Sequence, residues 1–200
     1  MGNTDKFDMM ANMYDTPERI HIAKVISDAI RGRLIETKNK SAIDFGCGTG
    51  LVGLSLRNEF QSMLFMDSSQ NMLDQVNRKL SHSGIQNADT LCFDLEKDSP
   101  PDLHADIIFM AQVLLHIKDY EPVLWKLHDV LNPGGHLIII DFDKNEKIVS
   151  DLVHSGFDQK MLADVMLNIG YKNIQSNTFY KGNKIFMGFD ASMFILDSQK

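Results

Sequence analysis

The residues best equipped for chemistry are acids set around a run of glycines. Ala42-Ile43-Asp44-Phe45-Gly46-Cys47-Gly48-Thr49-Gly50 puts a carboxylate two residues ahead of three alternating glycines. Glycine permits positive φ and lets the backbone approach a ligand closely. A helix starting straight after the run would add free N–H groups and the positive end of its dipole. Such a loop suits a ligand whose polar groups lie over strand ends. The letters fit two templates. Gly48-Thr49-Gly50-Leu51-Val52-Gly53 satisfies G-x-G-x-x-G, the dinucleotide fingerprint, and makes a nicotinamide (NAD) oxidoreductase the alternative activity. Gly46-Cys47-Gly48-Thr49-Gly50 behind Asp44 satisfies G-x-G-x-G after an acid. This second reading puts the first glycine at the strand end. It also gives Asp44 a task, because a carboxylate suits a positively charged ligand rather than a pyrophosphate.

Further along the chain, Asp67 stands about 20 residues past the loop, at the end of a second apolar run, where an acid meets a ligand in open α/β sheets. Cys92-Phe93-Asp94-Leu95 closes a third run. His116, in Leu114-Leu115-His116-Ile117, and His154, in His154-Ser155-Gly156-Phe157, are the candidate catalytic bases. Asp141 ends a fifth run, and with Tyr14 and Met13 it is a candidate for touching the acceptor. Met9, Met10, Met13 and Met110 are candidates for a soft wall around an apolar acceptor. Asp106 sits at the wrong end of its run and reads as structural. The two cysteines, Cys47 and Cys92, have no Cys or His partner at metal-ligand spacing, so no metal site is expected. Lone thiols fit a reducing compartment, and a cytoplasmic location is expected.

These side chains need a frame. Thr16 reads as a helix cap with Pro17 at the first helical position, and apolar residues from Ile20 to Leu34 carry that helix to about Ile35. Strands are expected over 41–45, 63–66, 89–93, 105–110 and 136–142. Helices are expected over 51–60, 70–81 and 120–131. A loop holds Pro100 and Pro101, and Asn132-Pro133-Gly134-Gly135 reads as a turn. A helix over 158–168 stops at Gly170. Residues 173–180 and 184–190 then read as an antiparallel hairpin turning at Lys181-Gly182-Asn183. The alternation implies an α/β fold with a mostly parallel sheet covered on both faces. One domain is expected: 1–40 as a helical lid, 41–190 as the core and 191–200 as a tail.

The chain resembles the class I S-adenosylmethionine-dependent methyltransferases, by motif over roughly 42–142 and by order of elements throughout. That resemblance implies a three-layer αβα sandwich with strand order 3-2-1-4-5-7-6 and one reversed strand near the end. It implies S-adenosylmethionine (SAM) as cofactor and S-adenosylhomocysteine (SAH) as product. Asp44, Phe45, Gly46, Cys47 and Gly48 would wrap the methionine part. Asp67, with Ser68 and Met72 beyond it, would take the ribose. Asp94 and Leu95 would take the adenine, and Met110 and Ala111 would close the fourth strand beside the cofactor. A cofactor-binding module without transferase activity is a further alternative.

The acceptor class comes by exclusion. After the fourth strand the chain reads Met110-Ala111-Gln112-Val113, so the Asn/Asp-Pro-Pro-Tyr motif of amino-nitrogen methylation is absent, as is a Pro-Cys nucleophile pair. Formal net charge is -7, and no basic stripe interleaved with aromatics appears, which weighs against nucleic acid. Hydrophobic residues at 44% and charged residues at 24% describe a globular chain, and no apolar run reaches the length of a membrane span. A small-molecule acceptor is the expectation; oligomeric state is left open.

Overall fold

The computed structural model describes residues 3–95 and 102–200, so the expected loop with Pro100 and Pro101 lies outside the described residues. The strands are β1 (Ser41–Phe45), β2 (Ser62–Asp67), β3 (Ala88–Cys92), β4 (Ala105–Ala111), β5 (Leu131–Phe142), β6 (Lys172–Phe186) and β7 (Phe189–Gln199). The helices are α1 (Asn3–Met10), α2 (Pro17–Arg31), α3 (Leu51–Leu56), α4 (Gln70–His82), α5 (Tyr120–Val130) and α6 (Gln159–Ile169). The strands form one sheet in the order β3-β2-β1-β4-β5-β7-β6, the order that the resemblance implied. By internal contacts the chain divides into two compact units, Met1–Ser99 and Pro100–Lys200.

In the first unit β1 and β3 flank β2, all parallel. Phe45 lies opposite Met66 and Asp67 opposite Cys92, which brings the three carboxyl ends level. Thr16 caps α2 as expected, its Oγ1 accepting from the Arg19 N–H at 3.3 Å. The helix buries Ala23, Ile26 and Ile30 and stops at Arg31, four residues before the expected end, with Ile35 left exposed. Ser69 caps α4 by accepting from the Met72 N–H at 3.2 Å. Behind that cap Met72, Leu73, Val76 and Leu80 fall at helical spacing and are buried.

In the second unit β4 and β5 are parallel and β7 runs antiparallel to both β5 and β6. Asn132-Pro133-Gly134-Gly135 interrupts the ladder inside β5. The register jumps from Ala105↔Leu131 to Ile107↔His136, with Gly134 at φ +78°. Asn132 Nδ2 donates to Asp106 Oδ1 at 2.9 Å, which confirms a structural task for Asp106. Asp158 caps α6 with bonds from Lys160 and Met161, and Gly170 ends it at φ +118°.

The hairpin departs from the sequence reading. Lys181-Gly182-Asn183 lies inside β6, and the turn is Met187-Gly188, between the paired Phe186 and Phe189. Both turn residues have positive φ, +51° and +81°, the requirement of a two-residue type I′ turn. The glycine at 182 misled because a bulged strand tolerates one as readily as a turn does; the register shifts between Gly182 and Phe186. Residues 191–199, expected as a tail, therefore belong to β7, where Met193, Phe194, Ile195 and Leu196 are all buried.

Candidate functional site

The glycine loop bridges β1 to α3 by turning through the left-handed region three times. Gly46, Gly48 and Gly50 have φ of +68°, +53° and +78°. Side chains are strained at such angles, so the sequence spends its glycines where the backbone requires them. The Gly46 and Cys47 N–H groups both donate to the Met66 carbonyl, at 2.8 and 3.0 Å, which locks the loop to the end of β2. Phe45 is buried beneath it. The Cys47 thiol points at the Gly48 carbonyl, 3.5 Å away, and burial pushes it well above its ordinary range, so it is inert as a nucleophile.

One acid lines this cradle and a second lies buried behind it. Asp67 accepts from Gly48 N–H at 2.8 Å on Oδ2 and from Ser69 N–H at 2.9 Å on Oδ1, which fixes its carboxyl plane at the end of β2. Burial raises its affinity for a proton, the Ser69 and Gly48 bonds work against that, and the Asp8 carboxylate adds to it. Asp44 is 2% exposed and accepts from the Gly53 N–H at 3.1 Å. Burial pushes its carboxyl up to about 8 against the pull of Gly53.

Gly53 marks how closely α3 approaches the strands. A Cβ there would overlap Asp44 Oδ2 and come within 2.6 Å of Phe65 Cε1. Its identity is explained by packing against β1 and β2.

The N-terminal segment is tied down over this cradle. Tyr14 is half-buried, and its Cε1 lies 3.9 Å from where a Cβ on Gly48 would stand. The Arg19 guanidinium sits 4.1 Å from the Tyr14 ring centroid, and its Nη1 donates to the Tyr14 carbonyl at 2.9 Å. Asp15 accepts from the Thr49 hydroxyl and pairs with Lys79 Nζ at 2.7 Å, while the same ammonium reaches the Thr49 carbonyl at 2.7 Å. Asp8 accepts from the Ser69 hydroxyl, and Gln75 Nε2 donates to Asn12 Oδ1 at 2.8 Å. Asp8, Asp15, Ser69 and Lys79 are the residues that sequence reasoning missed. Ser69 had a signal, as the residue just before an amphipathic helix. Lys79 had none, being one of several polar positions on α4.

Of the remaining expected residues, Leu95 is buried just past β3, Asp94 and Ser68 are half-buried, and Met72 lies in the α4 core. Met9 and Met13 are 69% and 78% exposed, because they lie on the outer side of the N-terminal segment, so neither forms a wall for an acceptor. In the second unit Met110 is fully buried and Ala111 half-buried at the end of β4. Asp141, a candidate for touching the acceptor, turns inward. It is fully buried, with Oδ1 accepting from Phe142 N–H at 2.8 Å and Oδ2 from Leu115 N–H at 3.1 Å. It thus holds the 3-10 turn Leu114–His116, which carries His116. His154 joins the same cluster. Its backbone N–H donates to the Leu115 carbonyl at 2.8 Å, and its Nε2 lies 2.8 Å from the Ile117 carbonyl. A carbonyl only accepts, so Nε2 carries the hydrogen and Nδ1 is the basic nitrogen. The ring packs edge-on against Tyr120. The structure therefore gathers both candidate bases and Asp141 around one loop at the end of β4. Among the described residues no cluster of His, Cys, Asp or Glu could hold a metal ion.

Comparison with known proteins agrees with this geometry. Residues 43–137 match the family model of the methyltransferase domain. A Schizosaccharomyces pombe protein named as an uncharacterized methyltransferase is 27% identical over 174 residues, covering 67% of this chain and 61% of its own length. The demethylmenaquinone methyltransferase of Thermus thermophilus is 28% identical over 134 residues, covering 64% and 59%. The chain thus spans about three-fifths of the length of these relatives. Among solved structures, a SAM-dependent methyltransferase of Thermotoga maritima, described as a possible histamine N-methyltransferase, superposes with a TM-score of 0.74 at 18% identity over 98% of this chain and 99% of its own.

Proposed function

We propose that this chain, which carries a methyltransferase domain in the class I fold, transfers a methyl group from SAM to a small-molecule acceptor. The observation that carries the reading is the Asp67 carboxylate, oriented by the Gly48 and Ser69 N–H groups beside three left-handed glycines on a sheet of order 3-2-1-4-5-7-6. The residues present fit that cofactor. Asp67 offers fixed acceptor oxygens to paired hydroxyls, and the glycines leave the loop without Cβ atoms. When bound, SAM supplies a methyl group on an activated sulfur leaving group, so its displacement needs no covalent enzyme intermediate.

The chain's own task is then to hold, align and dry the reactants. The Tyr14 ring and the Asp15–Lys79 pair hold the N-terminal segment over the cradle and exclude water from it. His154 Nδ1 is the nitrogen free to take a proton from an acceptor that must lose one. A small apolar acceptor is supported by the acidic balance of the chain and by the relative named for demethylmenaquinone. A cytoplasmic location belongs to the same reading, and no helix among the described residues is long and apolar enough to cross a membrane.

The test has two stages. Titration with SAM, SAH and NAD should raise the melting temperature for the first two alone; stabilisation by NAD alone would sink the reading. Labelled SAM incubated with a panel of quinols, phenols and amines should then yield a labelled product. Tight cofactor binding with no product across the panel would favour the binding-module alternative.

A further inference from the structure

A second acid stands at the end of β2, brought there by the N-terminal segment. Asp8 Oδ1 accepts from the Ser69 hydroxyl, and the backbone N–H of the same serine donates to Asp67 Oδ1 at 2.9 Å. One residue thus holds both carboxylates side by side. Asn71 Nδ2 donates to the Asp8 carbonyl at 3.2 Å, which ties α1 to the start of α4. The Cys92 thiol, opposite Asp67 across β2 and β3, registers both acids: burial first, then Asp67, then Asp8 hold it above its ordinary range. Among the described residues no cation pairs with either acid. Lys79 is held by Asp15 and the Thr49 carbonyl, and Arg19 by the ring and carbonyl of Tyr14. Like charges set together without a counter-charge repel. Docking α1 gives no reason for a charge at position 8, because the Ser69 hydroxyl needs only an acceptor, which an asparagine would supply.

We propose that Asp8 is a second ribose-binding acid, so that the ligand's hydroxyl pair is held between Asp8 and Asp67 and closes the N-terminal segment over itself. Each Asp67 oxygen already takes one backbone N–H, from Gly48 and from Ser69, and has a lone pair left for one more donor. Asp8 Oδ1 is engaged by Ser69, and Oδ2 takes no bond among the described residues. A vicinal diol brings two O–H donors to two acids. Donors set between like carboxylates turn their repulsion into charge-assisted hydrogen bonds. No covalent bond forms or breaks. The segment meets Ser69 through Asp8 and Thr49 through Asp15, so it spans from the end of β2 to the glycine loop. A ligand seated between Asp67 and that loop lies beneath it, and the segment must lift for the ligand to enter or leave. The ligand class selected in this way is a ribonucleoside with both hydroxyls free. The inference rests on the SAM reading above.

The experiment is calorimetry of SAH, 2′-deoxy-SAH and 3′-deoxy-SAH with the wild-type chain, Asp8→Ala and Asp8→Asn. Asp8→Ala should weaken SAH binding about tenfold or more, the loss of one charge-assisted bond. Asp8→Asn, which keeps an acceptor for Ser69, should weaken it as well. For one of the two deoxy ligands, the one lacking the hydroxyl that Asp8 receives, the penalty of either substitution should vanish. A role confined to holding the segment would penalise all three ligands alike, and that result overturns the inference. So does SAH binding by both variants as tight as in wild type or tighter, which would mean that Asp8 only repels Asp67. Both results leave the SAM reading standing; failure of wild type to bind SAH overturns both. Hydrogen exchange on the wild-type chain decides the matter even where a variant does not fold. SAH should slow exchange over residues 8–15 and one deoxy ligand should do so less; full protection by both deoxy ligands overturns the inference.

Discussion

Gly53→Ala tests the packing argument for the cradle at the point where two rules disagree. Gly53 lies inside α3, where helix propensity alone favours alanine by about 0.8–1.0 kcal/mol. Against this, the new methyl overlaps Asp44 Oδ2, meets Phe65 Cε1 at 2.6 Å and Asp44 Cγ at 3.1 Å. Both neighbours are buried on strands, which leaves them little room to swing aside. Overpacking of this kind costs about 1–3 kcal/mol. Pushing Asp44 aside also breaks its bond from the Gly53 N–H and leaves a buried polar group unpaired, about 1–3 kcal/mol more. The clash wins, and we expect a net loss of about 2 kcal/mol or more. For a chain of this length that is a fall of at least about 4–8 °C in melting temperature. Thermal unfolding gives the stability, and SAH calorimetry on the same sample should show weakened binding as Asp44 is displaced. A Gly53→Ala chain as stable as the parent, or about 1 kcal/mol more stable, would show that propensity rules here and that the close approach is not real.

Other expectations are simpler. Asp67→Ala removes fixed acceptor oxygens and should weaken SAH binding by about 1.5–3 kcal/mol for each charge-assisted bond lost; unchanged affinity would reject the assignment. Asp44 and Asp141, raised to about 8 and about 7, bind protons more tightly folded than unfolded. The stability they contribute is full below the ordinary carboxylate range near 3.8 and is lost as pH rises through 7 and 8. Melting temperature should therefore fall from about pH 4 to 8 and level off above it, and Asp141→Asn should make the fall below 7 shallower; a constant profile would contradict both burials. Lys79→Ala should cost only about 1 kcal/mol of global stability, as a partly exposed pair. It should nonetheless free residues 8–15 to limited proteolysis, and an unchanged cleavage pattern would show that the segment is held by other means.

How far the sequence can be read depends on how local each signal is. Asp44, the three glycines and Asp67 were legible because a strand, a loop and a helix start follow one another without interruption, and the backbone angles at Gly46, Gly48 and Gly50 are dictated by that junction. The caps at Thr16 and Gly170 were legible for the same reason. The hairpin was not. A glycine in Lys181-Gly182-Asn183 has the composition of a turn, and only pairing with β7 shows it to be a bulge. Asp141 reads from sequence as an acceptor contact because it ends a strand, whereas two N–H groups draw its carboxyl inward. The partners of the N-terminal segment join residues more than thirty positions apart, such as Asp15 with Thr49 and Lys79, and no periodicity announces such pairs.

The place of β7 has a consequence for how the protein comes into being. This strand follows every other strand in sequence, yet it lies between β5 and β6 and pairs with both. During synthesis β5 emerges with one flank bare, and its apolar run Leu137–Ile140 stays uncovered until residues 189–199 have left the ribosome. This half of the sheet can therefore close only once β7 has been made, and the interval beforehand is when a nascent chain would most benefit from a chaperone.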